Sequence, residues 1–388
     1  MPDLINLALA MFTLGQIGLC ISLLMTRSAS KNLRLPLSVF LIACAVVILD
    51  PVIVSFLPSI RFQAVALTLP AYLIMAPALW LYVEALTSET AWELERRHVR
   101  HVIFFSLGLI VAGLVMALPK PTLEVVFLEG DLGGSSYLGA LFLAAFLLII
   151  GLIIQSGFYL AKIYRHLIRY RQRIRENFTN IEHRELLWIN AVLVLLAFVW
   201  ILVAVALIAE NFFNETLVSR RAGGFVGIAL VWTVSLWGLR QAPGFENHYL
   251  DKPTVTLPVV SKYKRSALGD DQAQRIAKKI GLVMKNEGLH RDSNLSLSKL
   301  AANIGASPNH VSQTLNETLG MSFFDYVNRW RIEDAKRKIV LAEDSVLNIA
   351  LAVGFNTSSS FYKAFKKETG KTPRGFRSSN SDSNFGSA

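Results

Sequence analysis

Apolar and polar residues divide this 388-residue chain into two unlike parts. Residues 1 to about 240 fall into seven mostly apolar stretches, roughly 4–26, 35–57, 62–86, 101–118, 138–160, 186–209 and 222–239. The gaps between them hold turn residues and charge. About 20 apolar residues are needed for a helix to cross a bilayer, so the pattern predicts seven spans. From about 270 the period changes. Apolar positions recur three and four apart among polar ones, which predicts short amphipathic helices with one buried face.

The basic residues orient the spans. Alternate gaps carry Arg27, Lys31 and Arg34, then Arg96, Arg97 and Arg100, then Lys162, Arg165, Arg169, Arg171, Arg173, Arg175 and Arg184, 13 in all; the other gaps carry Arg61, Lys120, Arg220 and Arg221, only 4. Cytoplasmic loops are the Lys/Arg-rich ones. The N-terminus is therefore expected outside and the C-terminal part in the cytoplasm, in a multi-pass protein of a bacterial inner membrane. The first stretch reads as a span and not as a secretory signal, because no Lys or Arg precedes it and no small-x-small site follows. In the gap 161–185, Ile163, Leu167, Tyr170 and Ile174 keep helical spacing. The fifth span can thus continue as a cytoplasmic helix that lies on anionic lipid, passes motion to the tail, or simply anchors the span.

Composition fits this division. Hydrophobic residues make up 53% and charged residues 17%, mean hydropathy is +0.44, and the formal charge is +11. Residues 1–239 hold 17 Lys+Arg and 14 Asp+Glu, whereas 240–388 hold 22 and 14, so most of the positive excess lies in the tail. A basic tail suits an acidic partner such as nucleic acid or lipid headgroups. Polar groups inside spans are costly and mark function. Asp50, beside Pro51, is the clearest, with signal sensing or an outer-interface position as its two readings. Glu84, Gln16 and Gln155 follow. His98 and His101, among arginines at a helix start, read as interfacial. Cys20 and Cys44 read as apolar packing, and no metal-ligand cluster, nucleophile elbow, P-loop or dinucleotide fingerprint is present. Neither catalysis nor a cofactor or metal is expected.

The tail repeats itself. Leu300-Ala301 followed by Ile304-Gly305 matches Ile349-Ala350 followed by Val353-Gly354; further on Ser307 aligns with Thr357, Val311 with Phe361, Leu315 with Phe365 and Gly320 with Gly370. Each unit reads as helix, Gly-containing turn, helix: Ser296–Ile304 then Ser307–Leu319, and Ser345–Val353 then Thr357–Thr369. That is the helix-turn-helix pattern, whose second helix enters the major groove. Ser307 and Thr357 suit N-caps, and Pro308 suits the first helical position. A helix over about 322–341 joins the units. Its roughly 30 Å approaches the spacing of about 34 Å between successive turns of the groove. Trp330, Ile332, Ala335 and Ile339 are expected to pack against both units, while Arg329, Arg331, Lys336, Arg337 and Lys338 are candidates for phosphate contact or solvated faces.

The expected fold is therefore all-α: a seven-helix transmembrane bundle (1–240), a linker (241–269) with Pro243, Pro253 and Pro258, a cytoplasmic domain with two helix-turn-helix units joined by a long helix (270–377), and a disordered tail (378–388). Candidate DNA-binding residues are Ser307, Asn309, His310, Ser312, Gln313 and Asn316 in the first unit and Thr357, Ser358, Ser359, Ser360, Lys363, Lys366 and Lys367 in the second. Asn and Gln pair with adenine, and Lys with guanine or phosphate.

The residues Asn316-Glu317, Phe324–Tyr326, Arg331-Ile332, Gly354-Phe355, Phe365-Lys366-Lys367 and Gly370–Thr372-Pro373 ending in Phe376-Arg377 carry a resemblance. Residues from about 270 to 377 resemble the AraC/XylS-type DNA-binding domain. The resemblance implies sequence-specific promoter binding, action through RNA polymerase, and base-reading positions at Asn309, Ser312, Gln313, Ser359, Ser360 and Lys363. The family's usual sugar-binding domain is absent, with seven spans in its place. The expected protein is a membrane-embedded regulator that senses a small-molecule or membrane signal. Its partners would be promoter DNA, RNA polymerase, membrane lipid and, as an open option, a second copy in a homodimer. The alternatives are a transporter or membrane enzyme carrying an attached regulatory domain, and a bundle that serves only as an anchor.

Overall fold

The computed structural model describes residues 4–26, 31–88, 92–179, 181, 186–198, 220–240, 268–341 and 344–385. The expected linker lies outside these residues except for Leu268 and Gly269, as do Arg27, Arg184 and the second half of the sixth apolar stretch. The chain divides into two compact units: unit 1 holds Met1–Leu167 with Leu186–Pro253, and unit 2 holds Ile168–Glu185 with Thr254–Ala388.

Unit 1 contains α1 (Leu4–Thr26), α2 (Lys31–Ile48), α3 (Asp50–Phe56), α4 (Arg61–Ala66), α5 (Thr68–Leu86), α6 (Ile103–Met116), α7 (Lys120–Glu129), most of α8 (Ser136–Asn177), α9 (Leu187–Phe198) and α10 (Arg220–Arg240). By length and composition four helices can cross a membrane: Leu4–Thr26, Thr68–Leu86, Arg96–Met116 and Ser136–Asn177. The pair α2 and α3, bent by 43° at Leu49, makes a fifth if counted as one broken span. The sixth and seventh apolar stretches appear among the described residues as the shorter apolar helices Leu187–Phe198 and Gly224–Leu239.

Helix α5 is the centre of unit 1. Most of its apolar window is buried (72%), against 17% for that of α8, so α8 turns a broad apolar face outward, including Phe146, Leu147, Ile154 and Phe158. Ala43 of α2 packs on Ala71 and Ile74 of α5, and Leu73 of α5 on Leu148 and Leu152 of α8. Small residues let helices approach closely. A Cβ on Gly108 of α6 would lie 2.8 Å from Leu73 Cδ1 and 3.2 Å from Pro70 Cα.

His98 and His101, expected at the membrane interface, are buried within the protein. The turn Arg96–Val102 folds them inward. His98 Nδ1 accepts from the Glu95 amide at 2.9 Å, His98 Nε2 faces Glu84 Oε2 at 3.3 Å, and His101 Nδ1 pairs with the Tyr159 hydroxyl. Lys162 Nζ sits 3.9 Å over the Trp80 ring. Gln155 donates to the Leu73 carbonyl at 3.2 Å. Asp50 is half-buried at the first turn of α3, with Pro51 beside it at the break. Cys20 and Cys44 are buried free thiols.

Unit 2 contains the end of α8 and then α11 (Asp270–Leu282), α12 (Leu297–Ile304), α13 (Pro308–Gln313), α14 (Phe323–Val340), α15 (Val346–Ala352), α16 (Ser358–Thr369) and α17 (Pro373–Phe385). It has two separate cores. The first gathers Ile276, Ile280, Leu300, Val311, Leu315, Phe323 and Val327; the second gathers Ile332, Ala335, Ile339, Ile349, Phe361 and Phe365. The long helix α14 is thus shared end to end rather than face to face. Its first half, with Trp330, belongs to one core and its second half to the other. The residues 378–385, expected to be disordered, continue α17 as helix. Their serines fold back on the preceding turn: Ser378 Oγ donates to Arg374 O and Ser379 Oγ to Phe376 O, both at 3.2 Å.

Candidate nucleic-acid interface

Each helix of the two repeated pairs starts on a hydroxyl cap. Ser296 accepts from the Lys299 amide, Ser307 from His310, Ser345 from Asn348 and Thr357 from Ser360, all at 3.1–3.2 Å. Such a cap satisfies one of the amides a helix start leaves unpaired. The turn of the first pair is made by Gly305 at φ +66, with Ala306 returning its amide to Ala301 O at 2.9 Å. The second turn repeats this with Gly354 and with Phe355 N to Ala350 O at 3.0 Å. Lys279 of α11 closes the end of α12 by donating to Ile304 O at 3.2 Å.

On the second helix of the first pair, Val311 and Leu315 face the core. Ser307, Asn309 and Asn316 are exposed, while His310, Ser312 and Gln313 are half-buried. The helix expected over 307–319 is not uniform: after Gln313 it widens into a π turn, Thr314–Thr318. Gln313 Nε2 donates to Glu317 Oε2 at 2.8 Å, and Asn316 Nδ2 to Ser312 Oγ at 3.4 Å. Both amides are therefore held by neighbours one turn away on the same stretch of helix.

On α16, Phe361 and Phe365 are fully buried, and Ser359, Lys363, Lys366 and Lys367 are exposed. Thr357, Ser358 and Ser360 are half-buried. Ser360 Oγ donates to Thr357 O at 3.0 Å, so Ser360 is part of the cap. Lys367 Nζ is held by Asp325 of α14 at 2.6 Å. Burial works to raise the Asp325 carboxyl, but its bonds to Lys367 and Ser322 outweigh this and leave it below its usual value.

Of the basic residues on α14, Arg329 is exposed, Lys336 pairs with Glu333 at 2.6 Å and Arg337 with Asp334 at 3.2 Å. Arg331, a sequence candidate for phosphate contact, is instead 1% exposed. Its place on α14, between the two cores, turns it inward. Arg331 Nε donates to His290 O at 2.7 Å and Nη2 to Asp292 O at 2.8 Å, and its guanidinium carbon lies 5.4 Å from the Phe355 ring centre. Burial pulls its pKa down to about 10. Asp334 is the companion hub, taking Arg291 Nε at 2.8 Å and facing His290 Nε2 at 3.4 Å. Neither hub is legible in the sequence, because each depends on the groups the fold brings to it, carbonyls for Arg331 and basic side chains for Asp334.

The structure thus brings Asn309, Ser312, Gln313 and Asn316 onto one helix, and Ser359, Lys363 and Lys366 onto the equivalent helix of the second pair. Ser360 and Lys367 are committed to internal bonds. Among the described residues no group of three or more His, Cys, Asp or Glu is placed to hold a metal ion.

The family model described as "Helix-turn-helix domain" matches residues 300–379. An uncharacterized HTH-type transcriptional regulator of Staphylococcus aureus (strain COL) is 34% identical over 113 residues, 29% of this chain and 14% of that protein. The bifunctional transcriptional activator/DNA repair enzyme AdaA of Bacillus subtilis (strain 168) is 32% identical over 83 residues, 21% of this chain and 39% of that protein. The chain therefore spans only a small part of the curated relatives it matches. The C-terminal domain of AraT, a response regulator from Geobacillus stearothermophilus, is 28% identical, covering 27% of this chain and 84% of that one with a TM-score of 0.25. The C-terminal part of this chain is therefore a helix-turn-helix domain of AraC type, similar to part of the HTH-type transcriptional regulators.

Proposed function

We propose that this chain is a membrane-embedded, sequence-specific transcriptional regulator without enzymatic activity. Its seven apolar segments cross the bacterial inner membrane with the N-terminus outside, and its AraC-type domain works in the cytoplasm as two helix-turn-helix units. The observation that carries the reading is the pairing of that domain with helices whose apolar faces point outward. An exposed apolar face as broad as that of α8 is not stable in water, and lipid is the solvent that suits it. The 13-to-4 bias of basic residues between alternate gaps supports the orientation.

In this reading Asn309, Ser312 and Gln313 read base edges, as do Ser359 and Lys363 in the second unit. Ser307, His310, Asn316, Thr357, Ser358 and Lys366 position the helices on the backbone, while Ser360 and Lys367 hold the second unit in shape. RNA polymerase is the partner through which promoter activity changes, lipid surrounds the spans, and a second copy in a homodimer, where one forms, brings further units to the promoter. The signal, a small molecule or a change in the membrane, enters the bundle near Asp50. The break in the helix at Leu49 also favours a second reading, a transporter with an attached regulator, since discontinuous helices line transport sites.

The test is to map chromosomal sites bound by the intact protein, together with its membrane fractionation. Discrete sites and a membrane-bound protein are expected. Absence of discrete enrichment ends the regulator reading, and recovery in the soluble fraction ends the membrane reading. Signal-dependent promoter output that survives Asp50→Asn removes Asp50 from the sensor.

A further inference from the structure

Helix α8 begins in unit 1 and ends in unit 2, with the division at Leu167/Ile168. Its last turns carry a buried stripe, Tyr170 and Ile174 at 0% exposure, which continues past the helix end as Phe178 and Ile181. Beyond Asn177 the chain stops being helical and adds itself to the other part of unit 2. Phe178 forms an antiparallel bridge with Ser296, the cap of α12. The Thr179 hydroxyl donates to Leu295 O at 2.8 Å and accepts from Arg331 Nη2 at 3.3 Å. Arg175 lies 6.0 Å over the Phe324 ring.

This short segment touches three parts at once. Leu295 and Ser296 open the first helix pair, Arg331 and Phe324 lie on the shared helix α14, and a cavity of about 30 Å³ joins Thr179 and Ile181 to Gly354, Phe355 and Ser360 of the second pair. The site of contact is the seam between the two cores. A buried guanidinium there depends on its hydrogen bonds, because a donor left unpaired in the interior costs much more than the bond is worth in water.

We propose that residues 175–179, with Ile181, are a built-in clamp on the DNA-binding region. Thr179, acting through Arg331, is a positioning residue that fixes the two helix pairs relative to each other. Rotation or sliding of α8 loads or releases this clamp, so the signal travels along α8. The regulatory part of this inference rests on the membrane-regulator reading above. The clamp itself rests only on contacts within unit 2.

The experiment uses the full chain in lipid nanodiscs and a duplex selected from genomic fragments by the wild-type protein. Thr179→Val keeps the shape and removes the hydroxyl; Thr179→Ser keeps the hydroxyl. Thr179→Val is expected to weaken binding to the full duplex about tenfold, the weight of a buried hydrogen bond to a charged group. Binding to a duplex cut to one half-element should change less than twofold, and Thr179→Ser should stay near wild type. An unchanged ratio of full to half binding in Thr179→Val overturns the clamp. Hydrogen exchange gives a reading independent of DNA: amides of 290–296 and 354–361 should lose protection in Thr179→Val and keep it in Thr179→Ser. Unchanged protection also overturns the clamp. A wild-type chain that selects no duplex, yet shows the exchange change, removes the regulator reading and leaves the clamp standing.

Discussion

Gly354 of the second helix pair packs against His290 in the stretch before the first: a Cβ built on Gly354 would lie 2.8 Å from the His290 carbonyl oxygen and as close to that of Arg291. Its φ of +98 adds a conformation that side-chain-bearing residues rarely adopt. Gly354→Ala is therefore expected to destabilise unit 2 by about 2–4 kcal/mol, combining backbone strain with a clash that no side chain can relieve. Chemical denaturation followed by tryptophan fluorescence measures this. Gly269→Ala, with nothing within 4 Å of its added Cβ, is the control.

The two reading helices should respond differently to mutation. Asn309→Ala is expected to weaken binding by about 1–3 kcal/mol at one base pair of the site and to relax specificity there. Lys366→Ala should weaken binding to all sequences alike and lower the salt slope by about 1. Binding to a panel of singly substituted duplexes at several salt concentrations separates the two behaviours. A uniform loss for Asn309→Ala would make it a phosphate contact.

Acid should destabilise unit 2 in two stages. Burial lowers the His290 pKa; the carboxylate of Asp334 and the Met284 carbonyl act in the opposite direction and do not overcome it. The unfolded chain then takes up a proton near pH ~6.5 before the folded one does, so stability falls as pH drops through that value. Burial alone would raise the Asp334 pKa, but the bond to Arg291, the charge of Arg291 and the contact with His290 together hold it low. Its contribution is present above the unfolded carboxyl value of about 3.9 and is lost as pH falls through the folded one. Denaturation midpoints between pH 8 and 3 should decline in both windows, and His290→Gln should flatten the first. A rise in stability between pH 7 and 5.5 contradicts the assignment.

In unit 1 the approach of α6 to α5 sets a steric limit. Gly108→Val places its Cβ 3.2 Å from backbone at Pro70 and 2.8 Å from Leu73 Cδ1, whereas Gly113 has open space around it. Gly108→Val should lower thermal stability in detergent by about 1–3 kcal/mol, and Gly113→Ala should leave it nearly unchanged. Equal behaviour of the two variants would mean that the helices separate freely at this point.

Local rules made much of unit 2 readable in advance. Ser307, Thr357 and Pro308 mark helix starts by chemistry that acts over three residues, and the structure has those starts. The period of Val311, Leu315, Phe361 and Phe365 likewise fixes which side of each helix is buried. Arg331 was misread because a basic residue on an amphipathic helix normally faces water, and only the meeting of two cores turns it inward. The π turn at Thr314 leaves no mark in the apolar spacing, since a one-residue widening falls within the tolerance of a helical pattern. Tyr170 and Ile174 were visible as a stripe, but the partners of Phe178 and Thr179 just beyond it lie more than a hundred residues away in sequence. Thr179 carried no signal, because its role depends on one carbonyl and one guanidinium arriving beside it. His98 and His101 were judged by their arginine neighbours, whereas the turn at Arg96–Val102 aims them at α5 and α8.

The repeat within unit 2 has a consequence for stoichiometry. Two separate subunits that each read half a site must find one another, and their occupancy falls with the square of dilution when dimers are scarce. In the proposed reading the second helix pair is covalently joined to the first by α14, so once one is seated the other faces its half-site at an effective concentration on the order of millimolar. In the proposed reading a single chain covers a whole site without first pairing with a second copy, so target occupancy follows copy number even when a cell holds very few molecules.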